Sequence, residues 1–164
     1  MNWYLRIMGA SLVLLSAIIL GRGYSAYSER AIAEYDGFLE LLIYMKGKIS
    51  CFLLPPSEIF KDFECEALER CGLLMKIRCG VQISDAFSES SHRLAIPPEA
   101  KRVLGGFFAS FGSEYRDGEI ARIEQTVSEI KRQRDDACEL LAKKTKLAHT
   151  LLFAGALGLV IFLI

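Results

Sequence analysis

In KKTKLAHTLLFAGALGLVIFLI, residues 143–164, a basic cluster leads directly into a long apolar run, and this pattern is the strongest indication of the architecture. The 18 residues from Leu147 onward include only two polar side chains, His149 and Thr150. As a helix this run would be about 27 Å long, close to the roughly 30 Å hydrocarbon core of a bilayer. The alternative is a helix buried in a protein core, but a chain of this size has too little other apolar mass to surround it. We therefore expect residues 147–164 to span a membrane.

A second apolar run, WYLRIMGASLVLLSAIILG at residues 3–21, is interrupted only by Arg6. Its first two aromatic residues suit the interface between lipid and water. A cleaved signal peptide is the competing interpretation, since it also has a basic start and an apolar centre. The best cleavage site, GYSA, places Tyr24 where a small residue is needed. We therefore predict an uncleaved transmembrane helix over residues 3–21.

Charged residues are concentrated between the two runs. Lys plus Arg and Asp plus Glu number 20 each, so the net charge is zero and nothing favours nucleic-acid binding, which requires excess cations. Bases such as Arg22 and Lys146 flank the inner ends of both runs, which indicates a cytoplasmic middle segment. The five cysteines lie in this segment, and free thiols suit a reducing compartment. The predicted domains are a transmembrane helix at 3–21, a cytoplasmic helical bundle at 22–146 and a transmembrane helix at 147–164.

Helical periodicity begins the middle segment, with apolar residues at intervals of three and four. They are Ile32, Tyr35, Leu39, Leu42, Met45, Ile49 and Phe52. The charged residues between them, Glu34 included, are assigned to other faces of the helix. The prolines of LLPP, residues 53–56, should end this helix, and Ser57 offers an N-cap for the next one.

Shorter helices are expected to follow. Gly80 should end the segment after Ser57, and Ser84 should cap a helix in ISDAFSESSHRL. Pro97 and Pro98 should begin another helix, which Gly112 ends. Because no convincing strand signal interrupts these patterns, the predicted fold class is all-α, a helical bundle flanked by the two transmembrane helices.

The last helix has the clearest pattern, a seam with steps of three and four. Its members are Ile120, Ile123, Val127, Ile130, Arg134, Ala137, Leu141 and Lys144. This seam continues into the second apolar run without Pro or Gly. Two interpretations remain open: the seam packs within its own bundle, or it dimerises with another chain as a coiled coil.

Catalytic and metal-binding patterns are weak. The cysteines lack C-x-x-C spacing and the chain has two histidines, so a zinc site is not expected. Cys79 and His92 could in principle meet as nucleophile and base, but no spacing favours this pairing. We predict no enzyme activity, no cofactor, no metal and no small-molecule substrate.

The order and spacing of several short motifs resemble the stage III sporulation protein AB family of endospore formers. The motifs are LELLIYMKGKIS, LLPPSEIF, DAF, FFASFG and LLAKKTKLAHTLLFAGALGLVIFLI. Pro56 and Glu58 match a proline- and glutamate-containing element of the family, and Phe111 with Gly112 matches its Phe-Gly pair. Glu119 lies near the place of a family aspartate. The family's Leu-Gly place is occupied by Tyr115 and Arg116, so the chain resembles a divergent member of the family.

The resemblance implies a non-enzymatic scaffold in the mother-cell membrane that faces the forespore. Its cytoplasmic domain would be similar to type II secretion F platform proteins, and its partners would be the lipid bilayer, other channel components and a secretion-type ATPase of the same operon. The candidate partner-binding residues are Glu58, Phe111, Gly112 and Glu119, with both acids expected to be exposed. The alternatives are a generic membrane-tethered adaptor of the cell envelope and a membrane-anchored cysteine enzyme.

Overall fold

The structure is a computed structural model that describes the backbone of residues 2–51, 59–60 and 62–163. Side chains are described for residues 26–50, 59–60, 62–144, 147 and 155. Within these ranges every regular element is a helix, so the predicted all-α class is confirmed. The elements are α1 (Asn2–Cys51), α2 (Glu66–Arg70), α3 (Leu73–Arg78), α4 (Ile83–Ser90), a 3-10 turn (Ser91–Arg93), α5 (Pro98–Ser110) and α6 (Arg116–Leu163).

Contacts divide the chain into two units. One comprises Met1–Glu29 with Ala137–Ile164, and the other is Arg30–Asp136. The two predicted spans fall in the first unit, where their side chains lie outside the described residues except for Leu147 and Gly155. Among the described residues, no helix is both long enough and apolar enough to cross a membrane. The assignment of two transmembrane helices therefore stays a prediction.

The core of the Arg30–Asp136 unit is built on one face of α1. Phe38 and Leu41 are fully buried together with members of the predicted stripe, so the buried face is wider than the stripe. The ring of Phe38 meets that of Phe87 in α4 at 6.0 Å between centroids, and Phe87 meets Phe108 in α5 at 5.1 Å. This aromatic cluster joins three helices, and each such pair contributes about 0.5–1.5 kcal/mol beyond burial.

Polar contacts set α1 and α6 antiparallel within this unit. Asp36 pairs with Arg134 at 3.0 Å, and Lys46 pairs with Glu124 at 2.7 Å. Farther along α1, the Arg116 guanidinium donates to the carbonyl of Ser50. Exposed pairs of this kind contribute at most about 1 kcal/mol each, so their role is to fix register.

Part of the α6 seam packs into the core of the Arg30–Asp136 unit. Ile123 and Ile130 are fully buried, and the basic seam residue Arg134 is accounted for by its pairing with Asp36. The first half of the seam thus packs within the bundle, as one of the two interpretations predicted.

Glycines and a proline mark the helix ends as the sequence predicted, whereas the predicted start of α4 differs from the observed one. Gly80 and Gly112 adopt φ of 88° and 86°, the left-handed region where glycine is favoured, and α5 begins at Pro98. The prediction that Ser84 caps α4 is wrong, because α4 already begins at Ile83 and its N-cap Gln82 makes no side-chain cap bond. The carbonyl of Gln82 already accepts the N–H of Ala86 at 2.8 Å, so Ser84 lies inside the first turn of α4 and not before it. Ser57 lies outside the described residues.

Gly37 allows α1 to approach α2 closely. A Cβ at this position would lie 2.8 Å from the Cys65 sulfur and 3.4 Å from Cγ of Leu68. At Gly47, ten residues further along the same helix, a Cβ would meet nothing within 4 Å. The two glycines therefore differ in packing while they share the helical backbone.

Replacing Gly37 with leucine should lower the free energy of unfolding by about 1–3 kcal/mol, because the added side chain overpacks the contact with α2. Gly47→Leu is the matched control and should raise stability by up to about 1 kcal/mol through helix propensity alone. Thermal unfolding of the full chain, followed by circular dichroism, measures both. Equal effects of the two substitutions would contradict the close approach at Gly37.

Candidate functional site

A buried carboxylate fixes the segment that leads into α5. Glu34, in α1, is only 1% exposed. Its Oε2 accepts hydrogen bonds from the backbone N–H of Ala95 at 2.5 Å and of Ile96 at 3.1 Å. The periodicity placed Glu34 on a face away from the apolar stripe, and the structure shows that the side chain is nevertheless buried. Its charge is tolerated in the interior because backbone donors and a cation surround it.

Arg30 supplies that cation. Its Nε lies 3.1 Å from Oε1 of Glu34, one turn further along α1. Its Nη2 donates at 2.7 Å to the carbonyl of Arg93, at the end of the 3-10 turn. Lys101 in α5 donates to the carbonyl of Leu94 at 2.8 Å. The connection between the 3-10 turn and α5 is thus held from both α1 and α5.

A second buried carboxylate fixes the loop that follows α5. Glu119, in the first turns of α6, is only 4% exposed, so the expectation of an exposed acid is wrong. Its Oε1 accepts from the N–H of Gly112 at 3.0 Å and of Glu114 at 3.1 Å. The side chain turns back onto the preceding loop because those two N–H groups follow the end of α5 and have no helical acceptor.

The structure brings three of the four predicted site residues together. Gly112 is bonded to Glu119, and the half-buried ring of Phe111 packs on that of Phe107 at 5.6 Å between centroids. Glu58 lies outside the described residues. Glu119 therefore positions the Phe111–Gly112 turn and does not itself present a carboxylate to a partner.

Arg122 reinforces this loop from α6. Its Nη1 donates to the carbonyl of Ser110 at 2.8 Å and to Oγ of Ser113 at 3.3 Å. Its Nη2 pairs with the carboxylate of Glu114. With Glu119, these bonds engage the backbone or side chain of most residues from 110 to 114, so the loop is preorganised.

Tyr115 is the exposed feature of this loop, with 95% of its surface accessible. It immediately precedes α6, and its carbonyl accepts the N–H of Glu119 at 3.0 Å. An exposed aromatic side chain on a rigid loop can contribute strongly to a protein interface because little entropy is lost when it is covered. Sequence reasoning noted Tyr115 only as a departure from the family pattern and missed it as a contact residue.

A groove of about 610 Å³ lies beside the loop, between α5 and α6. We call it the α5–α6 groove. It begins at Ser110 and Arg122, next to the loop. Its lining residues are Val103, Gly106, Phe107, Ser110, Arg122, Gln125, Thr126, Ser128 and Glu129.

The groove has a basic side chain at one end and an acidic side chain at the other, and each is already paired within the chain, Arg122 with Glu114 and Glu119 and Glu129 with Arg132. Arg122 lies at the end near the loop, and Glu129 lies at the other end. Hydrogen bonds from Arg132 and Gln133 hold the pKa of the Glu129 carboxyl below its usual value, so the group is charged at neutral pH. The same contact raises the pKa of Arg132. Both charges are held by neighbouring groups and have restricted orientations.

The described cysteines differ in exposure and surroundings. The thiol of Cys79 is exposed, and among the hydrogen bonds of the described residues there is none between Cys79 and His92. Burial raises the pKa of the Cys71 thiol, which makes it less reactive at neutral pH. No group of three or more His, Cys, Asp or Glu side chains is arranged to hold a metal ion among the described residues.

Comparison with protein families matches residues 6–164 to the family described as stage III sporulation protein AB. The chain belongs to this family, and membership supports a role in sporulation. No curated protein and no solved structure matches the chain significantly.

Removing the Glu34 carboxylate should destabilise the fold strongly. Glu34→Ala leaves the buried N–H groups of Ala95 and Ile96 without an acceptor, at about 1–3 kcal/mol each, so a loss of at least about 2 kcal/mol is expected. Glu40→Ala, an exposed acid on the same helix, is the control and should change stability by less than about 0.5 kcal/mol. Urea unfolding of the full chain tests this, and similar midpoints for the two variants would refute the buried role of Glu34.

Removing the Glu119 carboxylate should loosen the loop without unfolding the bundle. Losing a hydrogen bond to a charged group costs about 1.5–3 kcal/mol, so chymotrypsin cleavage after Tyr115 should accelerate at least about tenfold in Glu119→Ala. Asp117→Ala, an exposed acid in the same helical turn, should leave the rate nearly unchanged. Mass spectrometry of the digests identifies the cut. Unchanged cleavage in Glu119→Ala would show that the loop does not depend on this side chain.

Proposed function

We propose that the chain is a non-enzymatic membrane platform of the sporulation channel complex between mother cell and forespore. It couples a secretion-type cytoplasmic ATPase of the same operon to the membrane assembly. In this proposal residues 3–21 and 147–164 anchor it in the mother-cell membrane that faces the forespore, and the unit Arg30–Asp136 lies in the cytoplasm. Membership of the sporulation family and the two apolar runs support this assignment.

The observation that carries the proposal is the preorganised surface formed by the 111–115 loop and the α5–α6 groove. A platform must present a fixed surface to its partner, because ordering mobile groups on binding costs affinity. The carboxylate of Glu119 and the guanidinium of Arg122 hold this loop by several bonds, and Tyr115 projects from it. Such an arrangement suits protein binding.

The adaptor alternative requires the α6 seam to pair with another chain. Ile123 and Ile130 are already buried within the Arg30–Asp136 unit, which favours the platform over an adaptor that dimerises through this part of the seam. Only the part of the seam beyond Arg134 would be left for such pairing. Sedimentation of the full chain in detergent distinguishes the two: the platform predicts a monomer in the absence of other channel components.

Recruitment of the ATPase to lipid vesicles tests the proposal. The full chain is reconstituted into vesicles, mixed with the purified ATPase and floated on a density gradient. The ATPase should float with vesicles that carry the chain and remain in the soluble fraction with empty vesicles. If the ATPase stays soluble in both cases, the coupling function is wrong.

The cytoplasmic placement predicts protection of Cys79, whose thiol is exposed in the folded chain. A thiol reagent that does not cross membranes should leave Cys79 unmodified in intact cells and modify it after permeabilisation. The variant Cys79→Ala identifies the signal that comes from the other cysteines, and it should sporulate normally because no catalysis is assigned to this thiol. Modification of Cys79 in intact cells would reverse the proposed topology.

A further inference from the structure

We propose that Gly118 allows Glu114 and Arg122 to close a side-chain strap over the first turn of α6, and that this strap holds the exposed Tyr115 in place for a partner. We call Glu114, Gly118 and Arg122 the α6 strap. The second part of the inference rests on the proposed function, because it assigns the strap to the surface that meets the ATPase. The strap itself can be tested without a partner.

The strap joins two charged side chains that are farther apart in sequence than the ion pairs usual within a helix. Those pairs link residues three or four positions apart, whereas Glu114 and Arg122 are eight positions apart and still pair. Glu114 precedes α6, which begins at Arg116, and side chains within a helix lean toward its N-terminus. Arg122 therefore extends back along α6, and its guanidinium meets the carboxylate of Glu114 over the turn between them.

Gly118 lies midway between the two charged residues in sequence, and its missing side chain leaves room for the strap. A Cβ at this position would lie 3.2 Å from Cβ and 3.3 Å from Cδ of Glu114, and closer still to its Oε2. A larger residue would therefore push the Glu114 carboxylate away from Arg122. Glycine is a poor helix former, so its presence in the first turn of α6 is explained by the strap and not by the helix.

The strap holds the backbone next to Tyr115. The side chains of Arg122 and Glu114 are 23% and 47% exposed, so the pair is partly shielded from water, and Arg122 is anchored further by its bond to the carbonyl of Ser110. Tyr115 follows Glu114 directly, and its own carbonyl accepts the N–H of Glu119 at 3.0 Å. The chain is thus tied to α6 both before and at Tyr115, while the ring of Tyr115 stays accessible.

A double-substitution cycle tests whether Gly118 serves Glu114. The readout is the rate of chymotrypsin cleavage after Tyr115 in the full chain. Gly118→Ala should open the strap and speed cleavage about two- to fivefold, the range expected when a partly exposed ion pair is lost. In a Glu114→Ala background there is no strap left to open. Adding Gly118→Ala there should leave the rate unchanged or lower it, because alanine favours the helix.

Gly47→Ala is the matched control, because a Cβ at this helical glycine would meet nothing within 4 Å. It should leave cleavage after Tyr115 unchanged in both backgrounds. Circular dichroism should show the same helix content for every variant, because the strap lies outside the core. If Gly118→Ala changes the cleavage rate by the same factor with and without the Glu114 side chain, the two residues act independently and the strap assignment is wrong.

Vesicle flotation with the ATPase tests the second part of the inference. Gly118→Ala and Glu114→Ala should each lower the apparent affinity about two- to fivefold, and the double substitution should lower it no further. If the cleavage cycle behaves as expected but every variant recruits the ATPase like wild type, the strap does not serve the binding surface and this part is wrong. If wild type fails to recruit the ATPase, the proposed function fails, whereas the cleavage cycle still decides whether the strap exists.

Discussion

The carboxylate of Glu34 organises the Arg30–Asp136 unit, because it holds the segment that leads into α5 against α1. It lies in the interior on the long first helix and accepts two backbone N–H groups from residues more than sixty positions later. Arg30 balances its charge and also binds the carbonyl of Arg93. A buried carboxylate with this number of donors is stabilising only when every bond is made, so the contact imposes one geometry on the chain before α5.

The same chemistry recurs at the other end of α5. Glu119 belongs to the last helix and accepts the N–H groups of Gly112 and Glu114, which fixes the loop where α5 ends. Both ends of α5 are therefore tied by buried carboxylates from α1 and α6, the two helices that continue into the apolar runs. The α5–α6 groove lies alongside the helix that these carboxylates tie at both ends, and the proposed platform function relies on a surface that is formed before a partner arrives.

Sequence patterns predicted the features that depend on neighbours along the chain. The helices, the all-α class, the left-handed glycines at 80 and 112 and the proline start of α5 follow from local periodicity and backbone chemistry. The periodicity placed Glu34 outside the apolar stripe but could not predict its burial, because its partners lie more than sixty positions away in the sequence. Glu119 did carry a local signal: an acid in the first turns of a helix after a glycine turn often accepts loop N–H groups. The family resemblance located Phe111 and Gly112, whereas the groove depends on how α5 and α6 pack and has no sequence signature.

Amide hydrogen exchange in the full wild-type chain tests whether the two buried carboxylates hold both ends of α5. The N–H groups of Ala95 and Ile96 are bound by Glu34, and those of Gly112 and Glu114 by Glu119. All four should exchange slowly, with protection comparable to amides in the middle of α5, although none of them lies in a helix. Exchange as fast as that of an unstructured peptide at either pair would contradict the account, because that end of α5 would then not be held by its carboxylate.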